Sequence, residues 1–266
     1  MRTVAAVIAL VACVHAGLWA LMRDDVRAPN FEGQLASVSY APFKGSEHPD
    51  STTAQTAQIR SDLKLLAPHT RAIRTYSATG GVELVPGIAS EFGLRVTAGA
   101  WIAKNKDRNE REIRSVIELS KRHSNVNGII VGNETIYRDE QKVSDLIQMI
   151  QRVKRSTNVP VTTGEIWHVW IEHPELVSAV DYIAAHILPY WEGFSEAQTV
   201  DQTVIIYDKL RKAYPGKRIV IAEFGWPSAG YNMHRANPGR IEQAVVLRDF
   251  VSRAEAYGMD YNIVEA

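Results

Sequence analysis

The sequence predicts an eight-stranded parallel α/β barrel, a (β/α)8 or TIM barrel. Two observations support this fold class. Short apolar runs alternate with amphipathic stretches along most of the chain, as expected of strands that are buried on both faces and separated by helices. Polar and aromatic residues recur at or just past the ends of these runs, and barrels of this type carry their functional groups at the carboxyl ends of the strands. A chain of 266 residues is long enough to bury the core of one such domain.

Eight apolar runs are predicted as strands, and seven amphipathic stretches as helices or helical connections. The strands cover residues 36–43, 70–76, 94–101, 126–131, 159–163, 182–188, 219–222 and 261–264. The helices cover residues 51–66, 82–92, 107–123, 139–155, 174–180, 197–213 and 240–257. Ser51 or Thr52 is the expected cap of the first helix, and the charges at 106–114 are expected to form an exposed helix face. Because the sequence stops just after the eighth strand, we expect the last outer helix to be lacking from this chain.

The N-terminal segment is predicted as a membrane anchor. Thr3 to Met22 is apolar or weakly polar apart from His15, and about 20 such residues match the thickness of a bilayer. A cleaved signal peptide is the alternative, with Val14-His15-Ala16 as a cleavage site. The predicted organisation is therefore an anchor at 1–23, a polar linker at 24–35 and the barrel at 36–266. Flanking Lys and Arg residues do not fix the orientation of the segment.

The composition argues against several classes of partner and cofactor. Lys and Arg total 30, as do Asp and Glu, and this neutral balance argues against nucleic acid. The one cysteine, Cys13, lies in the N-terminal segment, so the barrel has no internal disulfide and no thiolate zinc site. His168, His173 and His186 lack paired metal-ligand spacing and are interpreted as buried, hydrogen-bonded residues. The sequence therefore predicts neither a metal nor a cofactor, and it does not indicate an oligomeric state.

Two glutamates at strand ends are the main catalytic candidates. Glu134 follows the apolar run Gly128-Ile-Ile-Val-Gly-Asn133, and Glu223 follows Ile219-Val-Ile-Ala222. Strand-end glutamates are more often solvated or salt-bridged than catalytic. Glycoside cleavage, however, commonly uses one protonated carboxyl and one carboxylate, and these two would face each other across the barrel mouth. Asn133 is a candidate for binding a sugar hydroxyl, and Trp191 and Trp226 offer faces on which sugar rings stack.

The ordered motifs resemble glycoside hydrolase family 17. They are G-N-E at 132–134 and E-F-G-W-P-S at 223–228, supported by R-T-Y at 74–76 and N-I-V-E at 262–265. Phe224 and P-Y-W-E at 189–192 are more similar to bacterial members. The resemblance implies that Glu134 is the general acid/base and Glu223 the nucleophile. It also implies retention of configuration, with the two carboxyl groups ~5–5.5 Å apart.

Further candidates surround the two glutamates. They are Tyr40, Tyr76, Tyr190, Glu165, Trp167 and Glu265. Tyr190 is expected to hydrogen-bond Glu223, and the other two tyrosines to contact sugar. Glu165 and Glu265 are expected to bind sugar or to tune Glu134, and Trp167 to stack on sugar. For each of them, packing or a plain salt bridge is the alternative.

These observations together predict a membrane-anchored, retaining enzyme that hydrolyses or transglycosylates (1→3)-β-glucan outside the cytoplasm. Its partners would be the glucan and, through the N-terminal segment, the membrane. Two alternatives stay open at this point. One is a non-catalytic glucan-binding barrel, and the other is a different retaining glycosidase on the same barrel.

Overall fold

The computed structural model describes residues 2–21, 31–45, 47 and 51–264, and its strands form one closed parallel barrel. In chain order the strands are β1 (Val38–Ser39), β2 (Ala72–Arg74), β3 (Arg95–Ala100), β4 (Val126–Asn133), β5 (Val161–Ile166), β6 (Ile183–His186), β7 (Ile219–Phe224) and β8 (Asp260–Ile263). Each strand pairs with the next, and Val38 of β1 pairs with Ile263 of β8 to close the ring. The predicted fold class is therefore confirmed.

Helices follow the strands around the outside of this ring. They are α2 (Thr56–Leu66), α3 (Val85–Glu91), α4 (Lys106–Arg122), α5 (Val143–Lys154), α6 (Trp167–Glu172), α7 (Pro174–Ala179), α8 (Glu196–Ala213) and α9 (Arg240–Tyr257). A 3-10 turn, Val82–Leu84, precedes α3. Ser195 and Gln198 form a capping box that fixes the start of α8. Within the described residues no helix follows β8.

Several predicted boundaries were wrong for local reasons. Helix α2 begins at Thr56, and its cap position is Gln55 without a side-chain bond, so neither Ser51 nor Thr52 is the cap. Helix α5 begins four residues later than predicted, because Asp139 adopts a left-handed φ of 53° in a turn. Strand β5 extends to Ile166, which places Glu165 inside the strand instead of after it.

Glu112 contradicts the prediction that the charges at 106–114 form an exposed face. Its side chain is completely buried on the inner face of α4. The carboxylate accepts hydrogen bonds from the hydroxyls of Ser77 (2.6 Å) and Thr79 (2.5 Å) and from the backbone N–H groups of Ala78 (2.8 Å) and Trp101 (3.2 Å). Because these four donors satisfy it, the carboxylate can be buried, and it ties together the loops after β2 and β3.

The N-terminal helix α1 (Arg2–Leu21) stands apart from the barrel. Its segment Thr3–Ala20 is long and apolar enough to cross a membrane, and none of it is buried against the rest of the protein. An anchor and a signal peptide both fit that description. Residues 22–30, which include most of the predicted linker at 24–35, lie outside the described residues, so the domain boundaries stay predictions.

Candidate active site

The two predicted catalytic glutamates meet at the carboxyl-terminal mouth of the barrel. Glu134 directly follows β4, and Glu223 is the penultimate residue of β7. One carboxylate oxygen of each, together with a ring nitrogen of His186, lies within 4.8 Å of the others. Carboxyl groups of inverting glycosidases stand ~6.5–9.5 Å apart, whereas retaining enzymes have them ~5–5.5 Å apart. The observed proximity fits the retaining arrangement.

Glu223 is buried against positive charge. Arg74, the last residue of β2, places Nη1 2.7 Å from Glu223 Oε1, and the same nitrogen donates to the Ala222 carbonyl at 2.9 Å. Burial alone would raise the pKa of Glu223. The charges of His186 and Arg74, with hydrogen bonds from Arg74 and Tyr76, outweigh it and hold this pKa below its ordinary value. The group is therefore ionised at neutral pH, as a nucleophile requires.

His186 links the two glutamates. It ends β6, is fully buried, and places Nδ1 2.8 Å from Glu134 Oε1 and Nε2 3.5 Å from Glu223 Oε1. A Cβ at Gly164 on the neighbouring strand would lie 2.8 Å from His186 Nε2 and 3.1 Å from Arg74 Nη2. Glycine at position 164 therefore makes room for both side chains.

The backbone at Glu134 has an unusual conformation. Its φ is 52°, in the left-handed region that residues with a side chain rarely adopt. Gly132 has a φ of 90°, and a Cβ there would clash with the Thr135 hydroxyl oxygen. Arg138 Nη2 donates to the Asn133 carbonyl at 2.8 Å, and the Arg138 N–H donates to the Glu134 carbonyl at 2.8 Å. These contacts turn the chain so that the Glu134 side chain points to His186.

An open cleft of about 840 Å³ lies over the glutamates. Besides Asn133, Glu134 and Glu223 it is lined by the aromatic residues Tyr76, Trp101, Tyr137, Trp167, His168 and Trp191. Trp191 is 65% exposed and Tyr137 55% exposed. Large aromatic faces left open to solvent beside two carboxyl groups suit the apolar faces of sugar rings.

The structure brings four of the predicted binding residues into this cleft and places four elsewhere. Asn133, Tyr76, Trp167 and Trp191 line it. Tyr40, Tyr190, Trp226 and Glu165 are buried outside it. Glu265 lies outside the described residues, so its role stays a prediction.

Tyr190 does not make the expected bond to Glu223. Its hydroxyl donates to the backbone carbonyl of Tyr231, and its ring packs edge-on between Trp191 and Trp226 at centroid distances of 5.1 and 5.3 Å. Arg74 has the position next to Glu223 instead. In this structure Tyr190 supports Trp191 at the rim.

Tyr40 and Trp226 are likewise held by protein groups. The Tyr40 hydroxyl donates to Asp62 at 3.0 Å, and the Trp226 indole N–H donates to the Asn237 carbonyl at 3.0 Å. The exposed fraction is 4% for Tyr40 and 3% for Trp226. The predicted sugar contacts of Tyr40 and Trp226 therefore have no support from the geometry, and they stay predictions.

Glu165 is completely buried and does not face the cleft. Its carboxylate accepts hydrogen bonds from the backbone N–H groups of Ile136 at 2.8 Å and Tyr137 at 3.3 Å. Burial and, to a smaller extent, the Glu134 charge raise the pKa of Glu165 to about 7, against the lowering effect of these hydrogen bonds. Direct binding of sugar by Glu165 is incompatible with this placement.

Sequence reasoning missed Arg74 and His186. Arg74 was part of the R-T-Y segment, and His186 was interpreted as a buried, hydrogen-bonded residue. Each ends a strand of the barrel, which is the position that marked Glu134 and Glu223. The same criterion, applied to every polar residue, would have identified both.

The described residues contain one set with donors close enough to hold a metal ion: Glu134, His186 and Glu223. The Arg74 guanidinium lies 2.7 Å from Glu223 Oε1 and supplies positive charge at that position. A metal ion would be repelled by this guanidinium, so the donor set fits a cation-paired carboxylate better than a metal centre.

Comparison with known proteins places the barrel in a carbohydrate-active family. A family model described as the BtgE/BtgC glycoside hydrolase domain matches residues 37–266. A glucan endo-1,3-beta-glucosidase, btgC, from Emericella nidulans is 26% identical over 216 residues, covering 73% of this chain and 33% of the relative. A glucan 1,3-beta-glucosidase from Schizosaccharomyces pombe is 25% identical over 207 residues, covering 70% of this chain and 64% of the relative. The chain thus spans less than two thirds of the length of these curated relatives.

A solved structure with the same architecture is the glycoside hydrolase family 17 beta-1,3-glucanosyltransferase from Rhizomucor miehei. The TM-score is 0.78 and the sequence identity 25%, and the match covers 87% of this chain and 86% of that one. An active-site mutant of the Rhizomucor enzyme in complex with laminaritriose matches equally well. The resemblance found in the sequence motifs is confirmed.

Proposed function

The chain belongs to the BtgE/BtgC glycoside hydrolase family, and from that premise we propose that it is a retaining enzyme that hydrolyses or transglycosylates (1→3)-β-glucan. The observation that carries the proposal is the pair Glu134 and Glu223, whose carboxylate oxygens lie within 4.8 Å at the floor of an aromatic cleft. The beta-1,3-glucan enzymes among its relatives, and the laminaritriose bound to one of them, support this substrate class.

The first half of the reaction breaks the glycosidic bond. Glu223, ionised and oriented by Arg74 and Tyr76, attacks the anomeric carbon. Glu134 gives its proton to the departing oxygen, so the bond electrons leave with a neutral hydroxyl. The products of this step are a shortened glucan and a glucosyl ester on Glu223. Asn133, held at Oδ1 by Arg74 Nη2 at 2.5 Å, is oriented to donate its amide N–H to the sugar.

The second half releases the enzyme. Glu134, now ionised, takes the proton of an acceptor hydroxyl as its oxygen attacks the anomeric carbon, and the Glu223 carboxylate leaves. The configuration of the anomeric carbon is inverted in each half, so it is retained overall. Water as the acceptor yields hydrolysis, and a glucan hydroxyl yields transfer. His186 stays beside both carboxyl groups and bonds Glu134 Oε1, so it keeps the proton donor pointed at the reacting oxygen.

The aromatic residues that line the cleft after β4, β5 and β6 are suited to holding a sugar acceptor. Tyr137 follows β4, Trp167 begins α6 after β5, and Trp191 follows β6. The Trp167 indole N–H donates to Glu192 at 2.9 Å, which fixes the ring at the wall of the cleft. A second glucan chain lying on these rings would hold its hydroxyl where water would otherwise attack.

The N-terminal helix is proposed to anchor this enzyme in a membrane, with the barrel outside the cytoplasm. The apolar segment Thr3–Ala20 is long enough to cross a bilayer and does not pack on the barrel. Retention of α1 in the mature protein, measured by intact mass and by extraction with detergent but not with alkaline carbonate, would support the anchor. Loss of the segment would show that it is a cleaved signal peptide.

The experiment that tests the function uses the full chain in detergent, incubated with laminari-oligosaccharides. Mass spectrometry follows the products over time, with Glu223→Gln in parallel. Products longer than the substrate would show transfer, and shorter products alone would show hydrolysis. Glu223→Gln should reduce either rate by roughly 10⁴-fold or more, since it removes the nucleophile.

Three results would contradict a retaining enzyme that acts on (1→3)-β-glucan. If the wild-type chain binds glucan without turning it over, and Glu223→Gln binds it equally well, a non-catalytic binding module would be favoured. Turnover of a different β-glycoside alone would favour another retaining glycosidase. A product of inverted configuration, read by NMR within the first minutes, would contradict double displacement.

A further inference from the structure

The carboxylate of Glu165 lies behind the proposed acid/base and is not used by the mechanism above. It is on β5, is fully buried, and accepts hydrogen bonds from the backbone N–H groups of Ile136 and Tyr137 at 2.8 and 3.3 Å. Both donors belong to the loop that begins at Glu134. The bonds of the Glu165 carboxylate therefore go to the backbone of that loop.

The loop that Glu165 contacts is a single helical turn. The Arg138 N–H donates to the Glu134 carbonyl, and the Glu140 N–H donates to the Thr135 carbonyl. The first N–H groups of such a turn have no partner within it, and buried N–H groups without a partner are costly. The carboxylate of Glu165 fills this role from the neighbouring strand and acts as an external cap.

This cap holds a backbone that would not adopt its conformation unaided. Glu134 has a φ of 52°, and such a conformation persists only when the surrounding structure imposes it. The Glu134 N–H is fixed by the Gly164 carbonyl at 2.7 Å, next to Glu165 on the same strand. Strand β5 therefore fixes the acid/base at its own N–H through Gly164 and at the following turn through Glu165.

We propose that Glu165 is a positioning residue for the acid/base, which fixes the direction of the Glu134 carboxyl through the 135–137 backbone and does not bind sugar. The inference rests on the proposed function, since it assigns a role within the same reaction. Glu165 thereby acts on proton transfer to the leaving oxygen. It has no direct contact with the nucleophile or with the open cleft.

The test compares two substrates that differ in their need for acid catalysis. A laminari-oligosaccharide has a poor leaving group and needs the Glu134 proton. A dinitrophenyl β-laminaribioside has a good leaving group and does not. For the full chain in detergent, Glu165→Gln should lower kcat/KM on the oligosaccharide by roughly 10²-fold, the scale of general acid catalysis, and change it by less than about threefold on the aryl glycoside.

Glu112→Gln is the matched control, because it also alters a buried carboxylate that holds a loop. Glu112 ties the loops after β2 and β3, not the loop after Glu134. Its replacement should slow both substrates by the same factor. If Glu165→Gln does not fold, as judged by circular dichroism, Glu165→Asp keeps the charge but shortens the reach and should give the same selective loss.

The outcomes separate the inference from the function on which it rests. Equal losses on both substrates, or no loss on either, would overturn the positioning role while leaving the enzyme assignment intact. A folded wild-type chain that turns over neither substrate would overturn the proposed function itself.

Discussion

The two sides of the barrel mouth hold their glutamates by opposite means. On the β7 side, Glu223 lies against Arg74 and His186, and this positive surrounding keeps its pKa below the ordinary value. On the β4 side, the loop of Glu134 is capped by Glu165, a carboxylate that bonds neutral N–H groups and has a pKa raised to about 7. One side uses the Arg74 guanidinium to keep a charge, and the other uses the buried carboxyl group of Glu165 to hold a backbone.

This difference follows from what each glutamate must do. A nucleophile has to carry charge before the reaction, so cations within hydrogen-bond distance assist it. A proton donor has to carry a proton, and a permanently charged guanidinium in contact with it would promote ionisation; Glu134 contacts the imidazole of His186, and Arg74 pairs with Glu223. The loop of Glu134 can be fixed by backbone bonds because these act on its position without adding positive charge. Replacing individual groups on each side tests this comparison.

Among replacements of the groups that support the two glutamates, the largest effect is expected from Arg74. Arg74→Met should lower kcat/KM by roughly 10²–10³-fold, because the buried Glu223 charge and the Asn133 amide both lose their partner. Since Arg74 lowers the pKa of Glu223, its removal should move the acidic limb of the pH–rate profile to higher pH. Profiles of kcat/KM on a laminari-oligosaccharide measure both changes.

Arg74→Lys serves as the control for that experiment. It keeps the positive charge but loses the second arm of the guanidinium fork. The acidic limb should then stay close to its wild-type position while the rate still falls. An unmoved limb in Arg74→Met would contradict the electrostatic role of Arg74.

An intermediate effect is expected in the pH dependence of stability. The pKa of Glu165 is raised to about 7 in the folded protein. Its stabilising contribution is therefore complete below its unfolded pKa of about 4.3 and is lost as pH rises to about 7. Relative to Glu165→Gln, the wild type should therefore lose stability across this window, by up to about 3 kcal/mol. Urea unfolding at several pH values measures the difference.

When the wild type is compared with Glu223→Gln in the same way, the change of relative stability with pH should have the opposite sign. A lowered pKa contributes stability above the unfolded value, and this contribution is lost as pH falls through the folded pKa. Wild type should therefore gain stability over Glu223→Gln as pH rises from acidic values. Parallel pH profiles of the two variants would contradict the contrast between the two sides.

The smallest effect is expected at the surface. Glu110 pairs with Arg152 at 2.5 Å and Arg114 at 2.7 Å, and its pKa is lowered to about 2 by these hydrogen bonds. A third of its side chain is exposed, so solvent screens the pairs. Glu110→Gln should reduce the unfolding free energy by only about 0.5 kcal/mol and leave kcat/KM unchanged. A large loss of unfolding free energy would show that solvent exposure does not decide how much a charge pair contributes to the stability of this protein.

The sequence was sufficient for the barrel and for the position of the two glutamates. Strand β7 and helix α9 show why. The short apolar run Ile219–Val–Ile–Ala222, followed by turn residues, is typical of a buried strand, and the bounds 240–257 of α9 were predicted to the residue. The spacing of apolar residues indicates which faces of the chain are buried, and in this fold those buried faces determine where the strands and helices lie.

The orientation of single side chains was not predictable in the same way. Because they lie at or near strand ends, Tyr190 was expected to bond Glu223, and Glu165 to bind sugar or tune Glu134. Their hydrogen bonds go instead to backbone groups at Tyr231 and Ile136. The charge of Glu112 suggested solvent, yet four donors from two loops bury it. Such contacts join residues that are far apart in the chain, and a single sequence contains no record of them.

The left-handed backbone at Glu134 has a consequence for protein engineering. At a φ of 52°, glycine or asparagine would relieve a conformational cost on the order of 1 kcal/mol that glutamate carries. A procedure that selects substitutions for thermal robustness alone would therefore favour the replacement of the proton donor. In this protein the residue that the loop tolerates least well is the one proposed to deliver the proton, so durability and turnover compete at a single position of the chain.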